Sequence, residues 1–303
     1  IWIGTVSRGI CLYDPDNKDF TYINHIHENP ESIAADDINS IYMDKSGLIW
    51  CGTNGLSIYN PSQNKFNSTS DLIPMGTNLQ NLNNISALYQ DYSNRIWLGT
   101  SGNGIYCLNN LIDNSKNVWL ENTLKSLNKL NVSSIVSDEE NNIWIGTRSN
   151  GLLKLSLKDQ KLINIVEYPD NQETHGLKFI NGLAYIPPNR LYIATYEMGL
   201  ISYNTHAKTY QRFHTQQGDP ASFPANYLLR VFKDKTNKLW ICSWGAGIIH
   251  FNPENNSWKS YSNIPDDPTS LADNIPQTFC ETYKNNKRKI WIGTRKGVSL
   301  LDL

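Results

Sequence analysis

The sequence lacks an excess of charge of either sign: 27 lysines and arginines face 28 aspartates and glutamates, a net charge of −1 over 303 residues. Nucleic acid or an anionic membrane would therefore need a local basic patch to hold it. No apolar run approaches the roughly eighteen residues that cross a bilayer, and the chain opens on Ile1-Trp2-Ile3-Gly4-Thr5 where a signal peptide would show basic and then apolar text. These features predict a soluble piece cut from a longer chain. Cysteine pairing is lacking too. Cys11, Cys51, Cys107, Cys242 and Cys280 stand apart in strand-like apolar text, which argues against a disulfide framework and for small buried side chains. Helical periodicity, a nucleophile elbow, a zinc signature and a Walker pattern are all missing. Charged residues make up only 18% of the chain, while 11% is aromatic and Gly, Asn, Ser and Thr abound. That is the balance of a β-rich protein with many short turns and no long disordered tail.

What is present is a repeat. Ile-Trp-Ile-Gly-Thr at Ile1 returns at Ile49, Ile96, Ile143 and Ile290 with small changes, and more weakly as Leu-Tyr-Ile-Ala-Thr at Leu191 and Leu-Trp-Ile-Cys-Ser at Leu239. The aromatics Trp2, Trp50, Trp97, Trp144, Tyr192, Trp240 and Trp291 stand 48, 47, 47, 48, 48 and 51 residues apart. Seven copies at a near-constant period mark a repeat architecture.

Each period predicts the same local structure. An alternating apolar run, such as Ile38 to Met43 or Ile85 to Gln90, reads as a strand, A. Asp44, Asp91, Asp138 and Asp234 each stand six residues before the aromatic, followed three residues on by Gly47, Asn94, Asn141 and Asn237. Asp accepts hydrogen bonds from the backbone ahead and Gly or Asn takes the left-handed conformation, so A turns directly into the Trp strand, B. Where Ile186 replaces the Asp, Pro187-Pro188 and Asn189 make the turn. A Thr or Ser then leads through a short turn to a Gly and a third strand, C, and a second hairpin such as Asn252-Pro253 to Trp258 opens strand D. Trp119 is read in the same way as Trp258, as the start of a D strand.

Four antiparallel strands every 48 or so residues describe a propeller blade. The expected fold is all-β, a seven-bladed β-propeller of four-stranded antiparallel blades, with residues 1–303 as a single domain. The chain starts in strand B and stops in strand C, so blade one lacks its A strand and blade seven its D strand. Stacking of neighbouring blades buries the framework aromatics, each contributing on the order of a few kcal/mol.

The repeat resembles that of the two-component regulator propeller family. Ile38, Ile41, Asp44, Gly47, Ile49, Trp50, Gly52, Thr53, Gly55, Leu56 and Tyr59 follow the family's pattern with one residue deleted before Gly55. Asn29-Pro30-Glu31-Ser32-Ile33 and Asp267-Pro268-Thr269-Ser270-Leu271 look like its link between blades, and blade five departs at Ile186, Tyr192 and Ala194. The resemblance implies the periplasmic sensor region of a Bacteroidetes-type hybrid two-component histidine kinase. It implies an oligosaccharide or other small-molecule ligand, and kinase activity only in the full-length receptor, held as a sensor part of an inner-membrane protein.

Binding residues are sought where the turns between B and C break the repeat. The tips read Ser7-Arg8, Asn54, Ser101 to Asn103, Arg148 to Asn150, Tyr196-Glu197-Met198, Trp244 and Arg295-Lys296. Architecture accounts for every tryptophan except Trp244. The expected ligand site comprises Trp244, Tyr196, Arg148, Glu197, Arg295, Arg8 and Asn103. Aromatic faces stack on sugar rings, and Arg, Glu and Asn bond hydroxyls, carboxylates or sulfates. The bland alternative is that Trp244 packs on a neighbouring loop. Ring closure would bring Arg8 and Arg295 together, favouring an acidic or sulfated sugar.

Other candidates read as structural. Gly99 to Gly104 has the glycine density of a phosphate loop but opens no helix. His25 and His27 alternate on a strand without a third ligand, and His175, His206, His214 and His250 occupy dissimilar repeat positions, against a metal-dependent lyase. No metal, cofactor or catalytic residue is expected. A sensor propeller is therefore the leading reading, a protein-interaction scaffold the next, and a propeller lyase the last. Signalling through a membrane kinase needs a change between paired subunits, so a homodimer is expected of the full receptor, with neither nucleic acid nor membrane contact for this segment.

Overall fold

The computed structural model describes residues 1–63, 65–68, 84–108, 118–165, 177–284 and 287–302. Blade one holds β1 (Trp2–Gly4), β2 (Ile10–Asp14) and β3 (Asp19–Ile23). Blade two holds β4 (Ser40–Met43), β5 (Ile49–Gly52), β6 (Leu56–Asn60) and β7 (Lys65–Ser68), and blade three β8 (Ile85–Gln90), β9 (Ile96–Thr100) and β10 (Ile105–Leu108). Blade four comprises β11 (Val132–Ser137), β12 (Ile143–Thr147), β13 (Leu152–Ser156) and β14 (Lys161–Ile165). Blade five comprises β15 (Ile180–Ile186), β16 (Arg190–Thr195), β17 (Leu200–Asn204) and β18 (Thr209–Phe213). Blade six has β19 (Leu228–Lys233), β20 (Leu239–Ser243), β21 (Ile248–Asn252) and β22 (Ser257–Tyr261), and blade seven β23 (Pro276–Lys284), β24 (Lys287–Thr294) and β25 (Gly297–Asp302). Sheet neighbours are consecutive in the chain throughout. The fold is a seven-bladed β-propeller, with the predicted strands missing from blades one and seven. A cleft of about 280 Å³ lies beside β25, lined by Tyr261, Leu271, Ile292 and Leu301 among others.

Blade three corrects the all-strand expectation. Trp119 does not start a D strand; it lies in helix α1 (Val118–Ser126), the single α-helix among the described residues. Leu120, Leu124 and Leu127 recur at helical spacing, and Leu120 and Leu127 are buried. Glu121 in the first turn and Lys125 in the last complement the helix dipole. Helical periodicity is thus present over this one stretch.

The chain divides into two compact units, residues 1–137 with 155–162, and residues 138–154 with 163–303. In the first, Ile10, Ile33, Ile49 and Phe66 form one cluster and Trp50, Ile58, Ile85 and Leu98 another. In the second, Tyr192, Leu200, Phe213, Leu228, Ile241 and Phe251 pack together, as do Trp240, Cys242, Leu271, Ile290 and Ile292. Every cluster draws on two successive blades, because a sheet with two apolar faces must bury both.

The Asp of each A–B hairpin does more than close the turn. Asp91 Oδ1 accepts from the backbone N–H groups of Ser93 and Arg95, while Oδ2 accepts from Trp97 Nε1 at 2.9 Å and Arg95 Nε at 2.6 Å. The indole bond recurs from Trp50 to Asp44 at 2.7 Å, Trp144 to Asp138 at 2.9 Å and Trp240 to Asp234 at 3.0 Å. The turn residues take the left-handed conformation as predicted, with φ of 62° at Asn94, 60° at Asn141, 62° at Asn189, 58° at Asn237 and 88° at Gly47. Blade seven substitutes Thr282 Oγ1 as acceptor for Trp291 Nε1, at 2.9 Å. Its Arg288 reaches back to Asp234 and also bonds Glu281.

Of the cysteines, Cys11, Cys51 and Cys242 are buried, and burial pushes the Cys51 and Cys242 thiols up to about 12. Cys107 is half-buried and Cys280 is exposed at the open β23 strand, contrary to the expectation that all five are interior.

Replacing Asp91 with Ala strands the Trp97 indole, the Arg95 guanidinium and two backbone donors in or near the core; urea unfolding should show a loss of ~3–5 kcal/mol. The carboxyls also set an acid limit. Burial raises the Asp44 and Asp234 pKa values, but hydrogen bonds from Ser46, Trp50 and Leu48 to the first, and from Thr236, Lys238, Arg288 and Trp240 to the second, outweigh it and hold both below the usual range. A depressed folded pKa gives stability that is full above about pH 4 and lost as pH falls through the folded value. Melting temperatures should therefore drop below about pH 4 in wild type, and less steeply in an Asp44→Asn, Asp234→Asn variant.

Candidate functional site

The turn from B to C is built from backbone and one hydroxyl. Thr5, Thr100, Thr147, Thr195 and Ser243 each donate their side-chain O–H to the carbonyl of the Gly four residues on, at 2.7–2.8 Å. The same oxygen accepts the N–H of the residue three on, as Thr195 does from Met198 at 2.9 Å. The closing Gly is obligatory: Gly199 has φ of 76°, and a Cβ there would meet Phe213 O at 2.2 Å. The first two residues after the hydroxyl are left exposed, whereas the third is half-buried at Asn103 and Ala246 and buried at Met198.

In blades five and six these residues are aromatic and exposed. Tyr196 follows Thr195, and its N–H donates to Phe179 O at 3.0 Å; Trp244 follows Ser243, and its N–H donates to Tyr227 O at 2.9 Å. Each turn is thereby tied to the residue just before strand A of its own blade. Phe179, Tyr196, Tyr227 and Trp244 are each 44–51% exposed. Phe179 and Tyr196 centroids are 6.4 Å apart, and Tyr196 meets Tyr227 edge-on at 5.4 Å. Arg295, from the blade-seven turn, lies over the Trp244 ring at 4.5 Å. The result is an open aromatic arc ending in a cation–π pair.

Five expected site residues, Arg148, Tyr196, Glu197, Trp244 and Arg295, belong to the second unit, and all five are exposed on its turns. Arg8, also exposed, and the half-buried Asn103 belong to the first unit, each three residues after the Thr of its turn. Trp244 is half exposed with Arg295 over its ring, so neighbouring groups cover it only in part.

Phe179 and Tyr227 extend the site and were not among the candidates. Their signal is in the repeat: the residue thirteen before the framework aromatic is Asp37, Asn84 and Asn131 in blades two to four, then Phe179 and Tyr227. Two large apolar side chains replace polar ones at a solvent-facing position.

The histidines give no competing centre. His25 donates from Nδ1 to Ile33 O at 2.6 Å and stands edge-on to His27. His250 stacks on Trp240 at 4.3 Å, and burial lowers its pKa below the ordinary imidazole value. His175 lies outside the described residues. No group of three or more His, Cys, Asp or Glu among the described residues could hold a metal ion.

Residues 32–55, 79–102 and 126–149 match the family model described as two component regulator propeller. Three of the chain's repeats are thus similar to those of that family. Each matched stretch runs through an A–B hairpin into the turn that follows B. Among solved structures, the extracellular domain of BT4673 from B. thetaiotaomicron, assigned as a one component system, aligns with 99% of this chain and 45% of its own length, at 17% identity and a TM-score of 0.50. The propeller chain thus spans less than half of that domain. Virginiamycin B lyase from Staphylococcus aureus aligns with 100% of the chain and 90% of its own at 14% identity and a TM-score of 0.66. The WD40 propeller domain of Doa1 aligns with 100% and 89% at 12% identity and 0.65. At such identities the likeness is one of fold. No curated protein sequence matches the chain.

Proposed function

We propose that this propeller is the ligand-sensing part of a two-component receptor, placed outside the cytoplasm, and that it binds a carbohydrate and thereby regulates a kinase carried elsewhere in the full receptor. The repeat matched by the family model supports the receptor assignment. The arc of Phe179, Tyr196, Tyr227 and Trp244 is the observation that carries the ligand class. Four exposed rings, two on turns after strand B and two at the heads of strands A, offer flat apolar faces, and the hydrogen bonds that form the turns do not depend on the ring side chains. C–H faces of pyranose rings stack on such surfaces while flanking Arg and Glu groups bond the hydroxyls. The module binds and does not catalyse on this reading, and receptor dimerisation transmits the occupancy.

Titrating the chain calorimetrically with a panel of oligosaccharides tests the reading. Stoichiometric binding without turnover is expected, and Trp244→Ala should weaken it by ~1–3 kcal/mol with an unchanged melting temperature, since no framework position is touched. Turnover of a ligand would make the protein an enzyme, and unaltered affinity in Trp244→Ala would remove the arc from the site.

A further inference from the structure

We propose that the A–B hairpins of blades six and seven form a docking surface for an anionic lipid bilayer. The surface lies at the other end of the sheets from the aromatic arc: β20 and β24 begin at these hairpins and end at Ser243 and Thr294, just before Trp244 and Arg295. Its function is therefore independent of any carbohydrate bound at the arc.

The blade-seven hairpin is longer than the fold requires. In blade six the last ladder pair before the turn is Lys233 with Leu239, the residue before Trp240. In blade seven the equivalent pair is Glu281 with Ile290, and further pairs follow: Thr282 with Lys289, Tyr283 with Arg288, and Lys284 with Lys287. The step from Trp240 to Trp291 is accordingly 51 residues, where the others are 47 or 48. At about 3.3 Å per residue the paired strands run roughly 10 Å further than in blade six.

The added stretch is basic. It holds Lys284, Lys287, Arg288 and Lys289, and the blade-six hairpin beside it holds Lys233, Lys235 and Lys238, against Asp234 and Glu281 as the only acids of the two turns. The hairpins touch: Lys235 N–H donates to Glu281 Oε2 at 3.1 Å, and Lys235 Nζ lies 4.5 Å from the centre of the Tyr283 ring. Both acids are already engaged. Asp234 accepts from its own turn, from Trp240 and from Arg288, while Glu281 Oε1 accepts from Arg288 Nε at 2.5 Å and Tyr283 OH at 2.7 Å. Lys233, Lys235 and Lys287 are exposed and make no ion pair among the described residues. The near-neutral total of the chain, which argued against membrane contact, conceals this patch because the balancing acids stand elsewhere.

A bilayer suits the patch chemically. Its free cations are lysines, compact charges on long flexible stems, and the one guanidinium that could fork onto a single phosphate is held by Asp234 and Glu281. Such lysines are drawn to a charged plane without demanding a fixed geometry. Tyr283, 46% exposed, sits among them, and an amphipathic ring belongs at headgroup level. The corresponding hairpin of blade four carries Glu139-Glu140, so an anionic plane would meet this end of the unit at blades six and seven.

Co-sedimentation of the chain with vesicles of mixed phosphatidylglycerol and phosphatidylcholine, against phosphatidylcholine alone, tests the proposal. Binding is expected to the anionic vesicles only, and to disappear as salt is raised to about 0.5 M. It should weaken about tenfold or more in a Lys233→Gln, Lys235→Gln, Lys287→Gln variant, since each lysine near such a surface contributes several-fold in affinity. A Lys18→Gln, Lys125→Gln, Lys129→Gln variant removes the same charge from exposed places in the first unit and should bind as wild type does. All six lysines are exposed, so both variants should keep the wild-type melting temperature. Failure to bind the anionic vesicles, equal binding to phosphatidylcholine alone, or an equal loss in the two variants overturns the proposal. So does binding of duplex DNA by a chain that leaves the anionic vesicles unbound, which would make the patch a nucleic-acid site. None of these outcomes alters the oligosaccharide titration, so the two readings fail separately.

Discussion

A buried carboxylate that must satisfy several donors at once governs this fold. Asp44, Asp91, Asp138 and Asp234 each accept turn N–H groups through one oxygen and a framework indole through the other. Local turn and long side chain are therefore specified together: the hairpin cannot close in another register without stranding the indole N–H, and the indole cannot rotate without stranding the carboxylate. Because the indole packs between successive sheets, one six-residue interval fixes the turn, the pairing of A with B, and the surface offered to the next blade. Where the Asp is absent, blade five has Ile186 with Tyr192 in place of the framework indole, and blade seven recruits a threonine hydroxyl.

The regular parts of the structure were legible because periodicity repeats the same statement seven times. Trp2 to Trp291 set the blade count, and Asp followed by Asn or Gly set the A–B hairpins. Helix α1 escaped because Trp119, 22 residues after Trp97, reads by analogy with Trp258, 18 residues after Trp240, and that aromatic outweighed the weaker spacing of Leu120, Leu124 and Leu127. Arg288 was invisible for a different reason. Its partner Asp234 lies 54 residues away in the preceding blade, and nothing local to either marks the pair.

The site was half legible. Trp244 and Tyr196 could be found by subtraction, since every structural tryptophan has a place in the repeat and these turns do not call for rings. Phe179 and Tyr227 lie at the head of strands, where an apolar residue is ordinary text, and only alignment of the copies reveals that their neighbours are polar. Gly182 is harder still: it sits inside an alternating strand, and its role in letting β15 approach the backbone of β19 emerges only from the structure.

The hydroxyl-and-glycine staple of the turn after B has a bearing on how such a protein changes over generations. Conformation there depends on one Thr or Ser, one Gly and main-chain groups, so the exposed side chains at the tip carry little folding duty. Substitutions at Arg148, Tyr196, Trp244 or Arg295 are open to drift or selection at little cost to the scaffold. A lineage can thus sample new chemical preferences one turn at a time, each blade an independent register of variation, while the architecture that displays them is inherited unchanged.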